Sequence, residues 1–167
     1  MPDNLKAAVV RTAFAIDGRA ALHRGYRELA RHYGNATYMP DAWRDMLRMS
    51  RASAFYGRKS SLDGIAKGTP IALYHTGVGM IALGKVTSER RIADVDGDEG
   101  EEHYVECAFE YTIDPEKAPE RAVKAWEINE QLQASHRFRQ TVYTLPGEAL
   151  QFIRKRFAEK GATPGKP

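Results

Sequence analysis

A single cysteine, Cys107, stands among the 167 residues, so no internal disulfide can form, and a reducing cytoplasm is the expected compartment. No apolar run approaches the about 18 residues that a membrane span needs, so no membrane partner is expected. The opening stretch MPDNLKAAVVRTAF lacks the apolar core and small-residue cleavage site of a signal peptide. Metal-ligand spacing is also missing. His23 and His32 have no nearby cysteine or carboxylate pair, and DVDGDEGEE lacks a glutamate at the twelfth position of a calcium loop, which falls on Val105. Neither a metal nor a cofactor is expected.

Glycine is present where a phosphate loop could be sought, in YHTGVGMIALGKV, but the surroundings are wrong for one. A dinucleotide-binding loop follows a strand and opens a helix, so that N–H groups at the helix start meet the phosphate. Here Gly77 and Gly79 separate two apolar, strand-like runs, which predicts a tight hairpin. Gly84, inside the second run, marks a bulge or a close backbone approach. Cys107, in the alternating run HYVECAFEY, is expected to be a buried structural thiol.

What the chain does have is ordinary globular composition, 43% hydrophobic and 28% charged, at a length suited to one domain over residues 1–160. The tail 161–167, GATPGKP, is expected to be disordered. Apolar AAVVRTAFAI reads as a buried first strand. An amphipathic helix is predicted over 17–34, a short one over DAWRDMLRM, and a helical turn from Leu62 to Ala66 capped by Ser60 or Ser61. RIADVDGDEGEE reads as an exposed acidic loop and HYVECAFEYTI as a strand. A helix follows Pro119, FRQTVYTL forms the last strand, and Pro146 opens the final helix.

The net charge is only +3, yet it is unevenly spread. Residues 1–60 hold eleven Lys/Arg against five Asp/Glu, residues 89–120 three against twelve, and residues 137–160 six against two. If the two basic ends meet, they form a face suited to a polyanion; a solvated surface is the alternative. Within SRASAFYGRKSS, Arg51, Phe55, Tyr56, Arg58 and Lys59 interleave two aromatics with three cations. Base stacking on an aromatic ring contributes about 1–3 kcal/mol, and adjacent cations meet phosphates, so this composition suits nucleic acid. Phe55 and Tyr56 as plain core residues is the competing reading.

The run LDGIAKGTPIALYHTGVGMIALGKVTSE resembles the central segment of the PUA-like superfamily, in particular its EVE and YTH-like branch. There a short helix and a K-G-D type turn, here Lys67-Gly68-Thr69, precede a strand, a glycine hairpin and a strand ending in G-x-V. RFRQTVYTLPGEALQFIRKRF is similar to that branch's closing strand and last helix. The first strand differs in lacking a tryptophan, and Trp43 falls in the segment between that strand and the hairpin.

The resemblance implies an α+β fold, a small bent β-sheet or barrel flanked by helices, that reads DNA or RNA by holding a modified or flipped base in an aromatic pocket. Trp43, Phe55, Tyr56 and Tyr74 are then the base-binding residues. Arg51, Arg58, Lys59, Arg137 and Arg139 are the phosphate-binding ones. Two other classes stay open. An amidohydrolase of the ASCH type acting on modified nucleosides would need a lysine (Lys59, Lys67 or Lys85), a hydroxyl (Ser60, Thr69 or Thr76) and a carboxylate, for which Asp63 is the one residue between Arg48 and Thr87. The other is a protein-interaction module.

Overall fold

The structure, a computed structural model, describes residues 6–13, 42–95 and 97–165. The helix expected over 17–34, with His23 and His32, lies outside the described residues. The fold is a mixed α and β arrangement built on a curled eight-stranded sheet, a half-barrel, in the order β2 (Arg51–Phe55), β6 (Asp98–Thr112), β4 (Gly79–Val86), β3 (Pro70–His75), β1 (Ala7–Ala13), β7 (Val142–Leu145), with β5 (Arg91–Val95) and β8 (Thr163–Pro164) also paired to β6. Strand β1 (Ala7–Ala13) runs parallel to β3 (Pro70–His75) and antiparallel to β7 (Val142–Leu145). A parallel pair cannot be closed by a hairpin. The chain between β1 and β3 makes that crossing and carries helix α1 (Ala42–Arg48), strand β2 (Arg51–Phe55) and a 3-10 segment (Tyr56–Leu62).

The hairpin expected from the glycine run is present as β3 and β4 (Gly79–Val86), joined by Thr76 to Val78. At Gly84 the β4 to β6 register shifts, and a Cβ there would overlap the Ala108 carbonyl and the Phe109 backbone. The bulge bends the sheet where two backbones come closest. Strand β6 (Asp98–Thr112) has fifteen residues, longer than most strands, and works in two parts. Its first part pairs with β2 and with β5 (Arg91–Val95), its second with β4 and β8 (Thr163–Pro164).

Helix α2 (Ala125–Leu132) precedes β7, and α3 (Gly147–Lys160) follows it. Apolar residues of α3 recur at helical spacing, so Leu150, Ile153 and Phe157 form one stripe that is buried on the sheet. Phe157 stacks on Tyr111 of β6 at 5.9 Å between centroids. Burying a side chain of that size stabilises the fold by about 1.5–3 kcal/mol. Cys107 is buried as expected, and its thiol pKa is pushed up to about 12 by burial. Among the described residues no helix is long and apolar enough to cross a membrane.

Four expectations are corrected. The acidic stretch RIADVDGDEGEE is no loop: β5 and the start of β6 form an outer hairpin from it, with most side chains of β5 in water. The helical turn comes before Leu62, as the 3-10 segment, because the Ala52 to Phe55 run is spent as strand β2 and the chain turns directly after it. The last strand begins at Val142, four residues after Phe138. Lastly, the tail is not disordered through Gly165. Ala162 is buried, β8 pairs with Tyr111 and Thr112, and the Gly165 N–H donates to the Glu110 carbonyl at 2.7 Å.

Candidate functional site

Strand β1 has neighbours on both edges, which leaves its residues with little access to water. One of them is an arginine. Arg11 is only 2% exposed, sits opposite Tyr74 in the β1 to β3 register, and donates its backbone N–H to the Thr141 carbonyl at 2.9 Å. Its Nη1 donates to the Phe138 carbonyl at 3.4 Å. Burial lowers its pKa to about 10; Tyr143 and Tyr74 act against that shift and Arg58 adds to it. Even so, the guanidinium stays charged at neutral pH.

Arg58 and Ser61 reach the same place from the 3-10 segment. Its first residue, Tyr56, has φ of 50°, a left-handed conformation that a non-glycine residue rarely takes. The Tyr56 hydroxyl donates to Asp98 at 2.8 Å and holds that turn down. Arg139, Gln140, Thr141 and Val142 arrive from the loop that enters β7. Together these side chains and Arg11 line a half-open cavity of about 350 Å³, within the range of small-molecule sites. Its described lining residues include three arginines and two hydroxyl residues and no carboxylate.

Beside Arg11 stands an aromatic group. Tyr74 and Phe138 stack at 4.8 Å, and Phe138 meets Tyr143 edge-on at 5.3 Å. Burial raises the Tyr74 hydroxyl pKa against the pull of Arg11, and it raises that of Tyr143 strongly. The Tyr143 hydroxyl is buried and has no hydrogen-bond partner among the described residues. The described lining residues offer cations and hydroxyls to an anion; Tyr74 and Phe138 are themselves buried, and none of the three rings is among that lining.

The structure thus brings together Arg58, Arg139 and Tyr74 of the residues expected from sequence. Arg51 instead pairs with buried Glu102 at 3.1 Å and lies over the Tyr104 ring at 4.5 Å. Burial raises the Glu102 carboxyl pKa, with the Ser53 hydroxyl at 2.6 Å and Arg51 acting in the opposite sense. Lys59 pairs with Glu101 at 3.0 Å. Arg137 is exposed in the loop before β7 and does not line the cavity. Trp43 is buried on α1, edge-on to His75 at 6.0 Å and under the Arg44 guanidinium. Phe55 and Tyr56 are buried in the hydrophobic core.

Among the described residues no lysine lines the arginine cavity, and Asp63 is engaged by His103 Nδ1 at 2.8 Å, so none of Lys59, Lys67 and Lys85 meets Asp63 there. Sequence reasoning missed Arg11, Ser61, Phe138, Thr141 and Tyr143. For Arg11 a signal was available: a lone cation in the middle of a run that is otherwise apolar and buried. No protein-family model matches the chain, and no curated protein matches it.

Proposed function

We propose that this chain is a nucleic-acid-binding reader domain, related to the PUA-like group, that takes backbone phosphate in the arginine cavity and an unpaired or modified base against the neighbouring aromatic wall. The observation that carries the reading is the convergence of Arg11, Arg58 and Arg139 on one cavity. Arginine presents a planar fork of donors matched to phosphate oxygens, and Ser61 and Thr141 add hydroxyl donors beside it. Tyr74, held by Phe138 and opposite Arg11 in register, is the base-contacting ring of this reading. Trp43 backs it through His75, the residue next to Tyr74. Phe55 and Tyr56 shape the turn that delivers Arg58.

Fluorescence anisotropy with labelled single-stranded and duplex oligonucleotides, DNA and RNA, tests this directly. Binding is expected to favour single strands or mismatched sites and to weaken steeply between about 50 and 200 mM salt, as phosphate contacts release counterions. Tyr74→Leu is expected to reduce the preference for unpaired bases while leaving salt-sensitive association with duplex in place. Absence of binding to every oligonucleotide at low salt would sink the proposal.

A further inference from the structure

Among the described residues β5 pairs with β6 alone, while β6 holds β2 on its other side along Glu102 to Glu106. A strand with one open edge offers N–H and C=O groups to another strand. Ile92, in the middle of β5, keeps 55% of its surface in water. Independently of the nucleic-acid reading, we infer that this edge joins two copies of the chain, β5 to β5 in antiparallel pairing, across a two-fold axis at Ile92.

The register follows from charge. Backbone groups of a strand point to alternate edges, so a two-fold antiparallel pair of identical strands has its axis on one residue and opposes residues an even number apart. An axis at Arg91 would oppose two arginines, and an axis at Asp94 two aspartates. An axis at Ala93 would set Ile92 against Asp94. With the axis at Ile92 the two isoleucines meet, Arg90 of each copy faces Asp94 of the other, and Arg91 faces Ala93. No like charges then stand opposite, and both kinds of contact favour pairing across strands.

Arg90, Ile92 and Asp94 share one face of the strand, as its alternation requires. Gly100 locates two of them: its N–H donates to Asp94 Oδ1 at 2.8 Å, and a Cβ on it would lie 3.7 Å from Ile92 Cγ2. Arg90 is on the same side, 3.7 Å from Asp63, whose carboxylate engages His103, the cross-strand neighbour of Ile92. Between the Ala93 to Glu102 and Val95 to Asp98 pairs, β6 passes three residues while β5 passes only Asp94. The irregularity thus belongs to β6, and β5 keeps its own alternation.

Five residues a side make a contact smaller than a standard interface, so a weak dimer is expected, with Kd on the order of 10–100 µM. Sedimentation velocity of the full chain from about 5 to 500 µM reads it. Arg90→Asp and Asp94→Arg each set like charges opposite one another on both sides of the axis, and each is expected to weaken self-association at least about tenfold. Mixed in equal amounts, the two variants restore both opposite-charge pairs and are expected to form a heterodimer of near wild-type affinity. Damage to the fold of either variant cannot produce that result. Ile92→Lys, at an exposed position, is expected to stay monomeric throughout, with circular dichroism verifying its fold. A wild-type chain that remains monomeric to about 500 µM would overturn the inference and leave the edge to a strand of another protein. Dimers that survive in both single charge variants, or a mixture that associates no better than its components, would place the contact elsewhere and overturn it as well.

Discussion

Cations gather twice in this chain, and the two clusters are built in opposite ways. Between α2 and α3, Glu127 is buried and accepts from Arg156 at 2.7 Å, from Lys160 at 2.7 Å and from the Lys124 backbone N–H at 2.8 Å. Burial alone would raise its pKa, but the hydrogen bonds of Lys160, the Lys124 backbone and Arg156 outweigh that and hold it below the ordinary carboxylate value. Beside β1 and β7, Arg11, Arg58 and Arg139 line a cavity with no acid among its described lining residues. One cluster is neutralised by acids of its own fold; in the other, Arg58 and Arg139 stand exposed at the cavity. Density of Lys and Arg in a sequence does not separate these cases. The basic window 137–160 contains both kinds, because the acids that neutralise its helical half, Glu110 and Glu127, come from β6 and α2.

The two clusters differ most in what they contribute to stability. Glu127→Ala strands Lys160 and Arg156 beside each other, and breaking a buried pair usually costs several kcal/mol. Since Arg156 keeps 30% of its side-chain surface in water, about 2–3 kcal/mol is expected, read as a fall in urea midpoint. The pH dependence follows from the sign of the shift. A carboxyl whose folded pKa is depressed contributes stability that is complete above its unfolded pKa, near 4.5, and that disappears as pH falls through the folded value. The gap between wild type and Glu127→Ala should therefore narrow below about pH 4.5. A gap that stays constant to pH 2 would show that the carboxylate charge is not what holds α2 to α3.

A smaller effect is expected from ending the chain at Gly161. This removes the buried Ala162, whose N–H donates to the Phe157 carbonyl at 3.0 Å, and the β8 pairing with β6. At about 0.5–1.5 kcal/mol for each hydrogen bond, the loss should be about 1–3 kcal/mol, with nucleic-acid affinity unchanged. An unaltered melting temperature would mean that the β8 contact contributes nothing in solution. The smallest stability effect belongs to Arg58→Gln with Arg139→Gln. These residues form no ion pair among the described residues, so stability should stay within about 0.5 kcal/mol of wild type.

Much of the frame was legible because it is written in apolar pattern and glycine. The β3 to β4 hairpin, β6 and the buried stripe of α3 follow from runs such as IALYH and from Leu150, Ile153 and Phe157. Gly84 announced its close approach to β6. Strand β2 was obscured because RASAF is small and lacks β-branched residues, though four of its five residues are buried. The β5 to β6 hairpin was obscured by its charges, which an outer hairpin can carry in water. The tail lacked any large apolar residue, yet β-pairing through its backbone required none.

For the site, composition named Arg58 and Arg139 but could not reveal that they share one cavity with Arg11. That depends on long-range pairing of β1 with β3 and β7. It also assigned Arg51 and Lys59 to phosphate on the strength of their neighbours in sequence. In the fold those two face Glu102 and Glu101, acids fifty-one and forty-two residues away.

In the proposed function the cavity arginines, and not cationic charge in general, receive the nucleic acid. The most direct measurement is the slope of log Kd against log salt for one single-stranded oligonucleotide with three proteins: wild type, Arg58→Gln/Arg139→Gln, and Arg154→Gln/Lys155→Gln. The last pair removes the same charge from α3, where Arg154 is already paired with Glu110 and Lys155 lies near Glu159. The account predicts that the pocket variant loses about tenfold or more in affinity and that its slope falls by about one, while the α3 variant stays close to wild type. Equal losses in the two variants, or a larger loss from α3, would contradict it.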